Sequence, residues 1–180
     1  GQDFIVSSDI NPSDPNTWYI SSTIGDNFQA LSQTPTQTRM SVTVDGSLGA
    51  FVGTDKHINV LNLDANNPQE TRLSTNPEWD NVAISLDGNR IAAVSTSIDT
   101  SIYVFDFTTN PVTGYQYKLF NPTTSSGGQR VGGVLYADAF SWDFTGQYVL
   151  YDAFNRLSNP LGGNIEYWDV GFLRAWDPRT

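Results

Sequence analysis

The sequence predicts an all-β repeat protein, and three observations carry that prediction. The first is the stretch from Asn81 to Phe107, NVAISLDGNRIAAVSTSIDTSIYVFDF, where two β-rich runs join around Asp87-Gly88 and a third run ends at Asp106-Phe107. Branched and aromatic side chains suit a pleated, half-buried surface, and Asp-Gly readily makes a hairpin turn. The second is a related pattern upstream, SVTVDGSLGAFVGTDKHINVLNLD, from Ser41 to Asp64. The third is a shared register: Leu31-Ser32-Gln33-Thr34-Pro35 matches Leu73-Ser74-Thr75-Asn76-Pro77, and Asp45-Gly46 matches Asp87-Gly88, both at a spacing of 42 residues. A unit of about 40 to 45 residues has room for four short antiparallel strands, whereas a leucine-rich repeat is shorter and shows another leucine pattern.

The elements follow in chain order. Residues 1–35 form an incomplete first unit: DFIVSS is a short strand, NPSDPN a turn-rich connection, TWYISSTI a second strand and FQALS a third short run. This unit lacks the VTVDG strand and turn that open the next one. Residues 36–78 contain that opening strand, then AFVGT, HINVLNL and ETRLS. Residues 79–130 repeat the pattern and end on GYQYKLF and the Gly/Ser/Thr-rich loop NPTTSSGGQR, which offers little apolar burial per ordered residue. In this unit Ile102 and Val104 share one strand face and Tyr103, Phe105 and Phe107 the other, so both faces are apolar and the sheet is expected to lie between two others. Residues 131–180 read as YADAFSWDFTGQYVLYD, a loop, then NIEYWDV and GFLRAWD as separate runs. The turn Asp143-Phe144-Thr145-Gly146 reads as longer than Asp45-Gly46 or Asp87-Gly88, with Asp143 falling 56 residues after Asp87.

Composition bounds the function. The 180 residues are 38% hydrophobic, enough for a substantial core or a small repeat array. Nine basic and nineteen acidic residues give a formal charge of −10, which disfavours a nucleic-acid footprint or attraction to an anionic membrane. There is no cysteine, so disulfides and thiolate metal ligands are excluded. No apolar run approaches the roughly 18 to 20 residues of a membrane-spanning helix.

Ser85-Leu86-Asp87-Gly88, Ile91-Ala92-Ala93-Val94 and Ile102-Tyr103-Val104-Phe105-Asp106 resemble the WD40-like (PD40) β-propeller repeat of the TolB-like family. Thr43-Val44-Asp45-Gly46, Gly49-Ala50-Phe51-Val52 and Ile58-Asn59-Val60-Leu61-Asn62 follow the pattern more loosely. Phe140-Ser141-Trp142-Asp143 and Ile165-Glu166-Tyr167-Trp168-Asp169 extend it into the last unit. The proline that customarily precedes Asp-Gly is replaced by Val44 and Leu86. The resemblance implies a partial or oligomer-completed β-propeller of about four blades, the first incomplete, with loops that support protein interactions. It also implies a periplasmic, secreted or cell-surface location within a larger protein.

Candidate chemical residues read mostly as structure. Asp45 and Asp87 suit turn hydrogen bonding beside glycine, and Asp106 and Asp169 suit capping after hydrophobic strands. Asp9-Ile10-Asn11-Pro12-Ser13-Asp14 lacks the spacing and turn glycine of a calcium loop. His57 is the only histidine, so a histidine cluster is excluded within one chain, and its place before INVLNL suits a strand-edge polar group. Ser41, Ser85 and Ser141 recur near turns without a Gly-x-Ser-x-Gly elbow. Trp18, Trp79, Trp142, Trp168 and Trp176 suit core or interface packing, and Gly127-Gly128 with Arg130 lacks a phosphate-cradling motif. The expectation is therefore a protein-interaction or ligand-recognition module with no catalytic, cofactor or metal residues of its own. It would bind a protein or extracellular polymer and have neither nucleic acid nor a membrane span, with contacts to missing blades or to copies of itself. The alternative is the accessory propeller of a peptidase or other hydrolase.

Overall fold

The computed structural model describes residues 5–7, 19–21, 29–30, 32–63, 68–95, 102–108, 113–117, 140–158 and 161–175. Its strands run β1 (Ile5–Ser7), β2 (Tyr19–Ser21), β3 (Gln29–Ala30), β4 (Ser41–Val42), β5 (Leu48–Val52), β6 (Ile58–Asn62) and β7 (Gln69–Arg72) in the first half. The second half holds β8 (Asn81–Ile84), β9 (Arg90–Val94), β10 (Ile102–Asp106), β11 (Thr113–Tyr117), β12 (Phe140–Trp142), β13 (Tyr148–Ser158) and β14 (Asn164–Arg174). They form four antiparallel sheets in simple chain order, β1-β2-β3, β4-β5-β6-β7, β8-β9-β10-β11 and β12-β13-β14. None closes on itself, and the repetition of small up-and-down sheets is propeller-like.

Side-chain alternation explains how the sheets pack. Ile102 and Val104 on one face of β10 join Ala83, Ala92 and Val94 against Trp142, Val149 and Ala175 of the last sheet. Tyr103, Phe105 and Phe107 on the other face join Val82, Ile84, Ile91 and Ala93 against Ala50, Val52 and Ile58. The β8–β11 sheet is thus covered on both sides, as its doubly apolar pattern predicts. Trp79 sits between these layers, edge-on to Tyr103 and Phe105 at centroid separations of 5.3 and 5.6 Å. Each fully buried branched or aromatic side chain contributes roughly 1.5–3 kcal/mol, so the apolar contacts between sheets are a major source of stability.

Two sequence expectations are corrected in the last unit. NIEYWDV and GFLRAWD are not separate strands: both lie in β14, which pairs with β13 without a break from Tyr148↔Arg174 to Ser158↔Asn164. The hairpin reverses at Gly162 and Gly163, both at positive φ, so the connection sits later and is shorter than the polar stretch after Asp152 suggests. Nor is the Asp143–Gly146 turn longer than its counterparts. Gly46, Gly88 and Gly146 hold the same place in each turn, with φ of 71, 74 and 66°. Each donates the same closing hydrogen bond, Gly46 N–H to Thr43 C=O, Gly88 N–H to Ser85 C=O and Gly146 N–H to Asp143 C=O, at 3.0, 2.9 and 3.1 Å.

Candidate functional site

Each turn is built by one carboxylate and one hydroxyl. Thr43 and Ser85 donate their hydroxyls to Asp45 and Asp87 at 2.7 and 2.6 Å, and the same carboxylates accept the Ser47 and Asn89 N–H groups at 3.0 and 3.1 Å. Hydrogen bonds from Thr43 and then Ser47 hold the Asp45 pKa down at about 2. At Asp87 burial pushes the pKa up, yet hydrogen bonds from Ser85 and Asn89, with the Arg90 charge, leave it lowered. Asp106 is buried, which also pushes upward, but Thr108 hydrogen bonds and the Arg90 guanidinium 3.4 Å away hold it below the ordinary value. These groups have their partners in the fold and serve the turn and capping roles read from the sequence.

His57 is buried just ahead of β6, its Nδ1 3.1 Å from the Ser74 carbonyl and 3.4 Å from Ser74 Oγ. A carbonyl needs a donor, so Nδ1 carries the proton and cannot take one from Ser74. Ser74 Oγ in turn accepts the Ile58 N–H at 2.9 Å, which ties β6 to the segment after β7. This histidine and hydroxyl form a structural clasp that sequence spacing did not reveal. Ser85 likewise spends its hydroxyl on Asp87 and accepts the Arg90 N–H at 2.9 Å. Among the described residues no three His, Asp or Glu side chains converge to hold a metal ion, and no helix is long and apolar enough to cross a membrane.

A concave feature lies where the leading strands of three sheets meet. A cavity of about 310 Å³ is lined from β4 and its approach by Arg39, Ser41 and Val42, from β8 by Asn81 to Ile84, and from β12 by Phe140 to Trp142. Packing between sheets brings these edge strands together. The Ile84 N–H donates to Ser41 Oγ at 3.0 Å, and Trp142 Nε1 donates to the Ala83 carbonyl at 2.9 Å. The Val82 N–H finds Asn81 Oδ1 at 2.8 Å, so two donors of the β8 edge strand are met by side chains. Among the described lining residues Arg39 is the only charged one, and it is exposed, in a chain of net charge −10. Lys56 pairs with Asp80, Arg72 with Asp55 and Arg90 with Asp106, whereas Arg39 has no ion pair with a described residue.

Of the residues singled out in the sequence, Ser41, Ser141 and Trp142 come together at this cavity, while His57 and Trp79 do not. Arg39 and Asn81 went unnoticed because a lone cation and a lone amide carry no spacing signal. The Asp9–Asp14 segment, Trp18, Gly127, Gly128, Arg130 and Trp176 lie outside the described residues, as do the side chains of Trp168 and Asp169.

No family model matches this chain, and no curated protein matches it. Among solved structures it is similar to a Bacteroides uniformis ATCC 8492 protein described as a "putative 6-phosphogluconolactonase", at 14% identity and a TM-score of 0.48. The match covers 94% of this chain and 54% of that one, so the chain spans about half the length of the protein it matches. At that distance no activity is carried over. The fold description rests on the sheet topology of the chain itself.

Proposed function

We propose that this chain is a ligand-recognition or protein-interaction module that binds through the groove across β4, β8 and β12. One observation supports the reading above others: three successive sheets present their edge strands to one cavity of about 310 Å³, whose lining mixes apolar side chains such as Val42, Val82 and Phe140 with the polar Arg39, Ser41, Asn81 and Ser141. Recognition sites are concave and combine apolar surface with convergent polar groups that orient the ligand. Among the described residues, the Ser85 hydroxyl is committed to Asp87 in its turn and His57 to Ser74 in the clasp.

On this reading the segments 1–35, 36–78, 79–130 and 131–180 are four blades of a TolB-like or WD40-like (PD40) propeller, the first of them incomplete. The partner is a protein or an extracellular polymer, and the setting is periplasmic, secreted or at the cell surface. Sequence resemblance supports the family and the location; the sheet repetition supports the architecture. The test is a screen of the purified chain against a protein-partner library and a glycan array, repeated with Arg39→Glu and Val42→Trp. A binder lost in both groove variants supports the reading. Turnover of a substrate by this chain without another polypeptide would overturn it in favour of an enzyme.

A further inference from the structure

The groove is chemically different at its two ends. β4, β8 and β12 cross it in the same direction, because contacts between neighbours keep chain order: Ser41 meets Ile84 and Val44 meets Leu86, while Trp142 meets Ala83 and Gly146 lies against Asp87. All three strands start at one end and turn at the other. Arg39 stands at the starting end, two residues ahead of β4, exposed and without an ion pair to a described residue. Asp80, just ahead of β8, is already paired with Lys56 at 2.9 Å. At the turning end Val44, Leu86 and Phe144 hold the same place in their turns. The Val44 N–H donates to the Leu86 carbonyl and Arg90 Nη1 to the Gly146 carbonyl, both at 3.0 Å, which sets the turns side by side. Val44 and Phe144 are 74 and 86% exposed, and Leu86 lines the cavity. Next to them in the chain stand Asp45, Asp87 and Asp143, all with lowered pKa and so ionised at neutral pH. Thr43 and Ser47 hydrogen-bond to Asp45 Oδ1, which fixes that carboxylate with acceptor capacity to spare.

We propose that the groove takes an extended peptide in one direction, with its carboxyl-terminal carboxylate on Arg39 and a lysine or arginine side chain a few residues upstream on the turns. The proposal rests on the groove reading above and gives that groove an occupant of stated chemistry. Charge complementarity carries the choice. A guanidinium holds a carboxylate through two parallel N–H···O bonds, and Arg39 is the charged group the lining offers for this. The turning end suits a basic side chain in both its parts. An apolar stem covers Val44, Leu86 and Phe144, and the cationic head reaches Asp45 and Asp87. The Phe144 ring offers the same cation an aromatic face. Carboxylates already fixed by the turns need no ordering when the ligand arrives. An extended chain covers the step from Arg39 to Thr43 in about 13 Å, so about four peptide residues bridge the two charges. A peptide laid in the opposite sense would bring like charges together at both ends, which sets the direction.

The experiment is calorimetric titration of the chain at low salt, where charge attraction is least screened. The probe is the acetylated peptide Lys-Leu-Val-Leu with a free carboxyl end, compared with its carboxyl amide and with a form carrying Glu in place of Lys. The free acid with lysine should bind about tenfold tighter than either of the others. Arg39→Glu should abolish the preference for acid over amide. Asp45→Asn with Asp87→Asn should abolish the preference for lysine over glutamate. Where that pair does not fold, Val44→Ser with Phe144→Ser, both exposed in the chain, should weaken the lysine peptide while leaving the preference for acid over amide. Equal binding of the three peptides, or preferences that survive these variants, would overturn the proposal. So would a groove that takes a glycan and none of the peptides, a result that leaves the groove reading standing, whereas a groove with no binder of any kind would overturn both.

Discussion

Thr145 donates its hydroxyl to Asp143 at 2.5 Å, reversing the order seen at Thr43 and Asp45, where the hydroxyl stands two residues before the carboxylate at 2.7 Å. The turns are otherwise alike: Asp143 Oδ1 takes the Tyr148 N–H at 2.8 Å, as Thr43 Oγ1 takes the Leu48 N–H at 3.1 Å. What the repeat conserves is a pair of oxygens rather than a residue order. Asp143→Ala should therefore destabilise the chain by about 1 kcal/mol, the net worth of a lost hydrogen-bond set at an exposed site. The exchanged pair Asp143→Thr with Thr145→Asp should recover most of that loss in urea unfolding, because it recreates the Thr43–Asp45 arrangement.

The four turn and cap aspartates make stability acid-sensitive in a defined direction. Asp45, Asp87, Asp106 and Asp143 all have folded pKa values below the ordinary 3.8, with Asp45 at about 2. A group that binds its proton less readily when folded contributes fully above its unfolded pKa and loses that contribution as pH falls through the folded value. The urea midpoint should hold steady above about pH 5 and fall between about pH 4 and 2. Asp106→Asn should lower stability at neutral pH and flatten part of that fall. A midpoint independent of pH over this interval would show that the carboxylate hydrogen bonds do not matter to the fold.

Trp79 and Trp142, the buried tryptophans among the described residues, should respond differently to phenylalanine. Trp142 Nε1 donates to the Ala83 carbonyl at 2.9 Å, whereas the buried Trp79 Nε1 has no hydrogen-bond partner among the described residues. Trp142→Phe removes an inter-sheet bond and should cost about 1–3 kcal/mol. Trp79→Phe gives up indole area but also removes an unmet donor, so its cost in the same denaturation experiment should be smaller.

Glycine substitutions separate turn strain from packing. An added Cβ at Gly46 meets open space, while at Gly88 it comes within 3.1 Å of Leu48 and 3.3 Å of Thr43 on the neighbouring sheet. Both residues sit at positive φ, where an ordinary side chain costs about 1–2 kcal/mol. Gly46→Ala should show that backbone cost alone, and Gly88→Ala should exceed it. Equal losses would mean that the contact between turns gives way freely.

Much of the sheet organisation was legible because it follows from short-range chemistry. The alternation at Ile102 to Phe107 foretells a sheet covered on both faces, and Asp-Gly at 45–46 and 87–88 foretells the turns. Reading failed where residue identity and geometry part company. Asp143 draws the eye to an apparent Asp turn, although Gly146 sets the register, and Gly171 suggests a break in what is one strand, β14. The groove was less legible still. Arg39 and Asn81 lie 42 residues apart and acquire meaning only when β4 and β8 are side by side, a relation fixed by packing between sheets.

The central claim is that recognition takes place across the three leading strands, and an amide NMR titration with a binder from the screens tests it most directly. The account predicts chemical-shift changes concentrated at Arg39 to Val42, Asn81 to Ile84 and Phe140 to Trp142, and lost in Arg39→Glu. Changes confined to the outer strands β7 or β11, with the groove amides unmoved, would contradict it.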